Sequence, residues 1–200
     1  SNDELRTIIQ MLERNLNSPI TSSAGRLFDA VASLIGLHQK VSFEGQSAMD
    51  LEFAIGNTLT DQHYNWSLLK SNSLTDDAND NNSINPPPSS GIIIDWSIII
   101  LEILEDVKRN INPGTISAKF HNTLVEIILG IAQRIGEKRV VISGGCFQNK
   151  YLTEHAVQRL QEKGFHPYWH QRVPPNDGGI SLGQIVAASK FINSQGNIDK

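Results

Sequence analysis

The chain has 200 residues, 39% hydrophobic and 19% charged, and its 17 Lys and Arg against 21 Asp and Glu leave a formal net charge of −4 at pH 7. That apolar fraction suits one compact domain or a domain with an appendage, and the lack of a broad positive field disfavours extended nucleic-acid or anionic-membrane binding. A single cysteine excludes an internal disulfide and fits a reducing cytoplasm. No apolar run approaches the ~20 residues of a membrane span, the one at Ile98–Leu101 being cut by Glu102 and Glu105.

Apolar residues at 5, 8, 9, 12 and 16 mark one face of a helix over Leu5–Leu16, ended by Asn17-Ser18-Pro19. Ser22 or Ser23 is the N-cap of a second helix whose Leu27, Phe28, Val31, Leu34 and Ile35 point inward, with Gly36 at its close. A third helix is expected over about Glu44–Ile55, with Ala48, Leu51 and Ile55 inward, and Tyr64–Leu69 reads as a strand. Residues 71–91 are rich in Asn, Asp, Ser and Pro, with too little apolar area to offset ordering entropy, and are expected to form a mobile loop.

Ile92-Ile93-Ile94 reads as a short buried strand, and Asp95 as the cap of a helix from about Trp96 to Asn110. Asn112-Pro113-Gly114 breaks the chain before a long helix over about Thr115–Ile135. A strand at 139–142, a helix at 150–163, a strand at 165–170 and a helix at 180–192 complete a βαβα ending, which implies parallel strands. The expected fold class is α/β: a helical part over 1–70, the loop 71–91, and an α/β part over 92–200.

Two glycine-rich segments, Ser143 to Asn149 and Pro174 to Gly179, each follow a strand and precede a helix. Glycine admits a ligand close to the backbone, and a helix N-terminus aims free N–H groups at an anion. Gly-Gly and Asn-Asp-Gly are equally ordinary turn formers. Gly25 and Asp29 lie one helical turn apart on one face, where the carboxylate is placed to accept from ribose hydroxyls, or is simply solvated. Arg26 is either a phosphate contact or an exposed surface arginine.

Asn149 either reads a ligand hydroxyl or caps backbone groups, at the strand edge where open α/β sheets bind ligands. Asp177, on a glycine-supported loop, is a candidate ligand for a hard cation or a turn former, and one Asp does not make a metal site. The six histidines, at 38, 63, 121, 155, 166 and 170, are not spaced for a self-contained metal site. Cys146 reads as a structural strand-end cysteine rather than a nucleophile, and Trp66, Trp96 and Trp169 as core or edge residues rather than a base-stacking platform.

Taken together, the strings Thr21 to Ala32 (TSSAGRLFDAVA), Phe43 to Glu52 (FEGQSAMDLE) and the two glycine segments extended to Gly183-Gln184 resemble, in order and spacing, the C-terminal part of the HypF hydrogenase-maturation carbamoyltransferases. The resemblance covers nearly the whole chain, least of all 71–91. It implies the second lobe of an ASKHA (actin/sugar-kinase/Hsp70 ATPase-like) fold, related to the tRNA threonylcarbamoyl-transfer ATPases. It also implies an activity: carbamoyl phosphate and ATP give a carbamoyl-adenylate, and its carbamoyl group passes to the C-terminal cysteine of a HypE-like acceptor, to become cyanide on the iron of NiFe-hydrogenase.

By motif, the resemblance places Gly25 and Asp29 at the ribose, Gly144, Gly145, Asn149 and Gly178 around the nucleotide, and Asp177 as one ligand of a divalent metal. Arg26 stands where the tRNA-modifying relatives carry an acidic residue. An acylphosphatase domain, a zinc-finger region, an adenylate-forming domain and a first lobe with an HxxxH pair are missing from the sequence, so the resemblance implies an isolated lobe, inert alone; the apolar surface left by removing the first lobe is one through which two copies could pair. A tRNA-directed threonylcarbamoyl-transfer relative and a non-catalytic protein-docking module are the alternatives.

Overall fold

The computed structural model describes residues 2–70 and 92–195; the loop expected at 71–91 lies outside them. Helices α1 (Asn2–Glu13), α2 (Ala24–Leu34) and α3 (Gln46–Ile55) lead to strands β1 (Ser67–Lys70) and β2 (Ile92–Asp95). Helices α4 (Ser97–Lys108) and α5 (Pro113–Ile135) precede the ending β3 (Arg139–Ile142), α6 (Lys150–Glu162), β4 (His166–Trp169) and α7 (Ile180–Gln195). Strands β3 and β4 pair in parallel, Arg139 opposite His166 and Ile142 opposite Trp169, as the βαβα order requires.

Helix α5 is the axis. Asn112 caps it by accepting from the Gly114 amide at 2.8 Å, and Pro113 occupies a first-turn position where a missing N–H costs nothing. The helix therefore starts two residues earlier than the Pro-Gly break suggests. Ile116, Phe120, Leu124, Ile127 and Leu129 are buried along it, and α2, α3, α4 and α6 supply Phe28, Val31, Leu51, Ile99, Ile103, Ala156 and Leu160 around it. The Phe28 ring meets Phe120 edge-on at 5.2 Å, an arrangement aromatic quadrupoles favour.

At Gly114, a Cβ would stand 2.4 Å from the Ala54 carbonyl oxygen, so the start of α5 touches the end of α3 through bare backbone. Gly114→Ala is expected to force the helices apart and cost roughly 1–2 kcal/mol, read as a lower urea midpoint at constant m-value.

Two expectations need correction. Ile92 is exposed and Ile93 and Ile94 are half-buried, because among the described residues β2 pairs with β1 alone, antiparallel, in a two-stranded sheet that no described element covers fully. Tyr64 is not a strand residue: it is a core anchor, its amide donating to Thr123 Oγ1 at 2.9 Å and its hydroxyl to Asp106 Oδ2 at 3.0 Å. Asp95 caps α4 from one residue further out than usual, its Oδ1 accepting from the Ser97 amide at 2.9 Å and from the Ser97 hydroxyl.

Several apolar faces are uncovered. Leu5, Ile8, Ile9 and Leu12 form the expected helical stripe, which ends with α1 at Glu13 short of Leu16, yet all five leucines and isoleucines are exposed. Every described side chain of α7 is exposed from Ile180 onward, Phe191 and Ile192 included, and Val141 and Tyr168 stand open on the β3–β4 sheet. Among the described residues, no helix is long and apolar enough to cross a membrane.

Candidate functional site

The in-register pairing of β3 and β4 brings both glycine segments to one edge of the sheet. Just past the paired residues Ile142 and Trp169, Ser143 Oγ and His170 Nε2 are 2.9 Å apart. The Gly144 amide then donates to the Pro175 carbonyl at 3.0 Å, tying the first segment to the second. Gly144 has φ 111° and ψ 159°, a backbone that L side chains rarely adopt, which accounts for glycine there.

After Gly144, residues Gly145–Gln148 make a 3-10 turn that runs directly into α6, and helix α2 abuts this turn. Ser23 is the N-cap of α2, accepting from the Arg26 amide at 3.4 Å. Its buried face carries Phe28 and Val31, which leaves Gly25 and Asp29 on another side. A Cβ at Gly25 would meet only Ser23 Oγ at 3.5 Å, so the space above it is open. Asp29 Oδ2 receives the Arg26 guanidinium at 2.7 Å. The exposed Arg26 therefore engages the half-buried Asp29, a surface pair of small energetic weight.

Asn149 is turned inward and buried. Its Oδ1 accepts from the Leu152 amide at 2.8 Å, capping α6, and its Nδ2 donates to His121 Nε2 at 2.8 Å. Both ends of the amide are engaged by the protein, so the geometry supplies the capping role. His121, fully buried on α5, donates from Nδ1 to the Ser117 carbonyl at 2.8 Å. Burial pushes its pKa down to about 4, which keeps the ring neutral and able to accept from Asn149.

The sequence reading missed this link. The available signal was a histidine at helical spacing from Leu124 and Val125, on the apolar face of α5, which marks a polar group needing a buried partner.

In the second segment, Asn176 accepts from the Gly178 amide at 3.1 Å and opens a 3-10 turn at Asp177–Gly179. Asp177 is exposed at the start of that turn. No group of three His, Cys, Asp or Glu among the described residues is placed to hold a metal. Asp177 therefore does not complete a metal site among the described residues, and no chemical step is derived through one.

His166 and His170 do stand four apart, an HxxxH spacing that corrects the expectation of no metal-site spacing among the histidines. On a helix such a pair converges; here His166 begins β4 and His170 follows it, so extended backbone holds them about 13 Å apart. Cys146 is half-buried, and burial pushes its thiol pKa up, which keeps it protonated and unsuited to attack.

Two concave surfaces lie along α5. A polar depression of about 580 Å³ is lined by Asp61, His63, Asn122, Glu126, His155 and Arg159, with no residue of either glycine segment among its walls. An apolar groove of about 370 Å³ runs between the second half of α5 and β3 and reaches Ser143 and Phe147 of the first glycine segment. Gly144, Gly145, Gly178 and Gly179 line neither surface, so the glycines themselves stand on an open shelf.

The family model of the carbamoyltransferase Kae1-like domain, second subdomain, matches residues 1–184. The chain belongs to this family. The carbamoyltransferase HypF of Synechocystis sp. is 40% identical over 182 residues, 91% of this chain and 21% of that protein. The probable carbamoyltransferase HypF of Methanocaldococcus jannaschii is 32% identical over 191 residues, 94% of this chain and 22% of that protein. The chain thus spans about a fifth of the length of the curated HypF relatives it resembles.

A crystal structure of full-length HypF in the phosphate- and nucleotide-bound form superposes with a TM-score of 0.80 at 38% identity, covering 96% of this chain and 28% of that one. HypF of T. kodakarensis, at 22% identity and a TM-score of 0.69, shares the fold.

Proposed function

We propose that this chain is the nucleotide-facing second lobe of a HypF-type carbamoyltransferase of hydrogenase maturation. The observation that carries the reading is the Gly144–Pro175 hydrogen bond, which makes one shelf of two glycine loops at the carboxyl ends of parallel strands, where α/β sheets take ligands. Membership of the family and the likeness to a HypF crystallised with nucleotide support it.

On this reading a carbamoyl-adenylate lies along Gly144, Gly145 and Gly178, where no side chain keeps it from the backbone. Asp29 exchanges Arg26 for the ribose hydroxyls, beside the bare helix start at Gly25. Asn149 acts from below, as the cap that aims the first turn of α6. Asp177 offers one carboxylate to a divalent cation whose other ligands belong to the first lobe. The acceptor is the terminal cysteine of a HypE-like protein: its thiolate sulfur bonds to the carbamoyl carbon, the bond from that carbon to the phosphate oxygen breaks, and AMP leaves. The protonated Cys146 takes no part.

In the full-length enzyme, Asp29→Ala is expected to slow thiocarbamate formation on the acceptor at least about tenfold, the weight of a hydrogen bond to a charged group. Pyrophosphate release from the upstream adenylate-forming step should be unchanged. Equal transfer by wild type and variant would overturn the ribose assignment, and carbamoyl transfer by the isolated 200-residue chain would overturn the reading as one lobe. The uncovered apolar faces support self-association of the isolated chain; elution as a monomer at all concentrations counts against it.

A further inference from the structure

We infer that His121 is a positioning residue of the nucleotide shelf, acting from inside the core through Asn149 on the glycine turn that ends there. The inference rests on the proposed nucleotide site and adds a residue to it that touches no ligand.

The connection is continuous and short. Ser117 donates its hydroxyl to the Leu51 carbonyl of α3 at 2.5 Å, and its own carbonyl accepts from His121 Nδ1 at 2.8 Å. His121 Nε2 accepts from Asn149 Nδ2 at 2.8 Å, and Asn149 Oδ1 accepts from the Leu152 amide at 2.8 Å. One line of hydrogen bonds thus runs from α3 through α5 to the first turn of α6. The Asn149 amide also donates to the Cys146 carbonyl within the 3-10 turn, and Thr153 Oγ1 donates to the Phe147 carbonyl, so the turn follows Asn149.

The ring is held on several sides, edge-on to Phe28 at 5.5 Å, Phe120 at 5.8 Å and Tyr151 at 5.5 Å. Phe28 belongs to α2, the helix that carries Asp29 one residue later. The same imidazole therefore sets both walls of the shelf, one by hydrogen bond and one by packing. An apolar residue would fill the space, but only a group accepting from Asn149 while donating to Ser117 fixes the direction of the amide.

The test uses the full-length enzyme. His121→Phe keeps the ring contacts and removes the acceptor; Asn149→Ser keeps a capping oxygen and removes the donor. Each is expected to slow thiocarbamate formation at least about tenfold, with pyrophosphate release retained and with His121→Gln, which can donate and accept, recovering to within about threefold of wild type. The double variant should be no slower than the slower single, because both substitutions cut one link.

Transfer at the wild-type rate by His121→Phe, with Asp29→Ala impaired, overturns the relay alone, as does a fully multiplicative double variant. Wild-type transfer in both His121→Phe and Asp29→Ala overturns the nucleotide shelf and the relay with it. Should His121→Phe fail to fold, Asn149→Ser decides: wild-type transfer in that variant overturns the inference.

Discussion

Lys119→Met is expected to lower the free energy of unfolding by about 3–5 kcal/mol, the range for stripping one partner from a buried ion pair. Lys119 Nζ sits 2.5 Å from Asp106 Oδ2, with side chains 16% and 11% exposed. The ammonium also lies 4.3 Å from the centre of the Tyr64 ring, whose hydroxyl donates to the same carboxylate oxygen. Burial and the neighbouring Asp106 both hold the Tyr64 phenol well above its usual pKa, so it remains a donor.

Removing the cation leaves Asp106 charged among α4, α5 and Tyr64, with a single hydrogen bond to offset its desolvation. Adding Asp106→Asn should recover most of the loss, since a neutral amide still accepts from Tyr64 and carries no charge to bury. Urea unfolding of wild type, the single variant and the double variant measures this directly; a loss below about 1 kcal/mol would mean that the pair behaves as a solvated surface pair.

Acidification is the second large effect. His121 titrates near 6.5 unfolded and at about 4 folded, because burial disfavours the imidazolium. Between those values the unfolded chain binds the extra proton, so stability falls as pH falls. The contribution is complete above about pH 6.5 and is lost on the way down to about 4, amounting to roughly 2–3 kcal/mol by pH 4.5. His121→Gln should flatten this part of the profile, so the difference between the two pH–stability curves isolates the imidazole from the carboxylates. Parallel curves would show that His121 charges freely in the folded protein.

Much of this architecture was legible in the sequence because it is written in local patterns. The stripe at 28, 31 and 35 declares itself within a few residues and is found in place, as is the capping alternative at Asn149, while the Asn112-Pro113-Gly114 break marks the start of α5 to within two residues. The convergence of the two glycine segments followed from the βαβα order, since parallel strands put both exits on one edge.

What was not legible depends on distance along the chain. His121 meets Asn149 from 28 residues away, Lys119 meets Asp106 from 13, and Tyr64 meets Asp106 from 42. Nothing near any of these residues names its partner. The isoleucine triplet at 92–94 misled because apolar content alone does not say how many faces of a strand are covered. His166 and His170 show that a spacing acquires chemical meaning only once the backbone period is known.

The bare flanks of α1, α7 and β3–β4 have a laboratory consequence. A fluorophore such as anilinonaphthalene sulfonate should brighten on the native chain, a signal usually taken to report a molten state. Near-ultraviolet circular dichroism from Tyr64, packed against Lys119 and Asp106, would tell the two apart: a protein that is sticky because its partner surface is away keeps that fixed aromatic signature, whereas one that has loosened inside loses it.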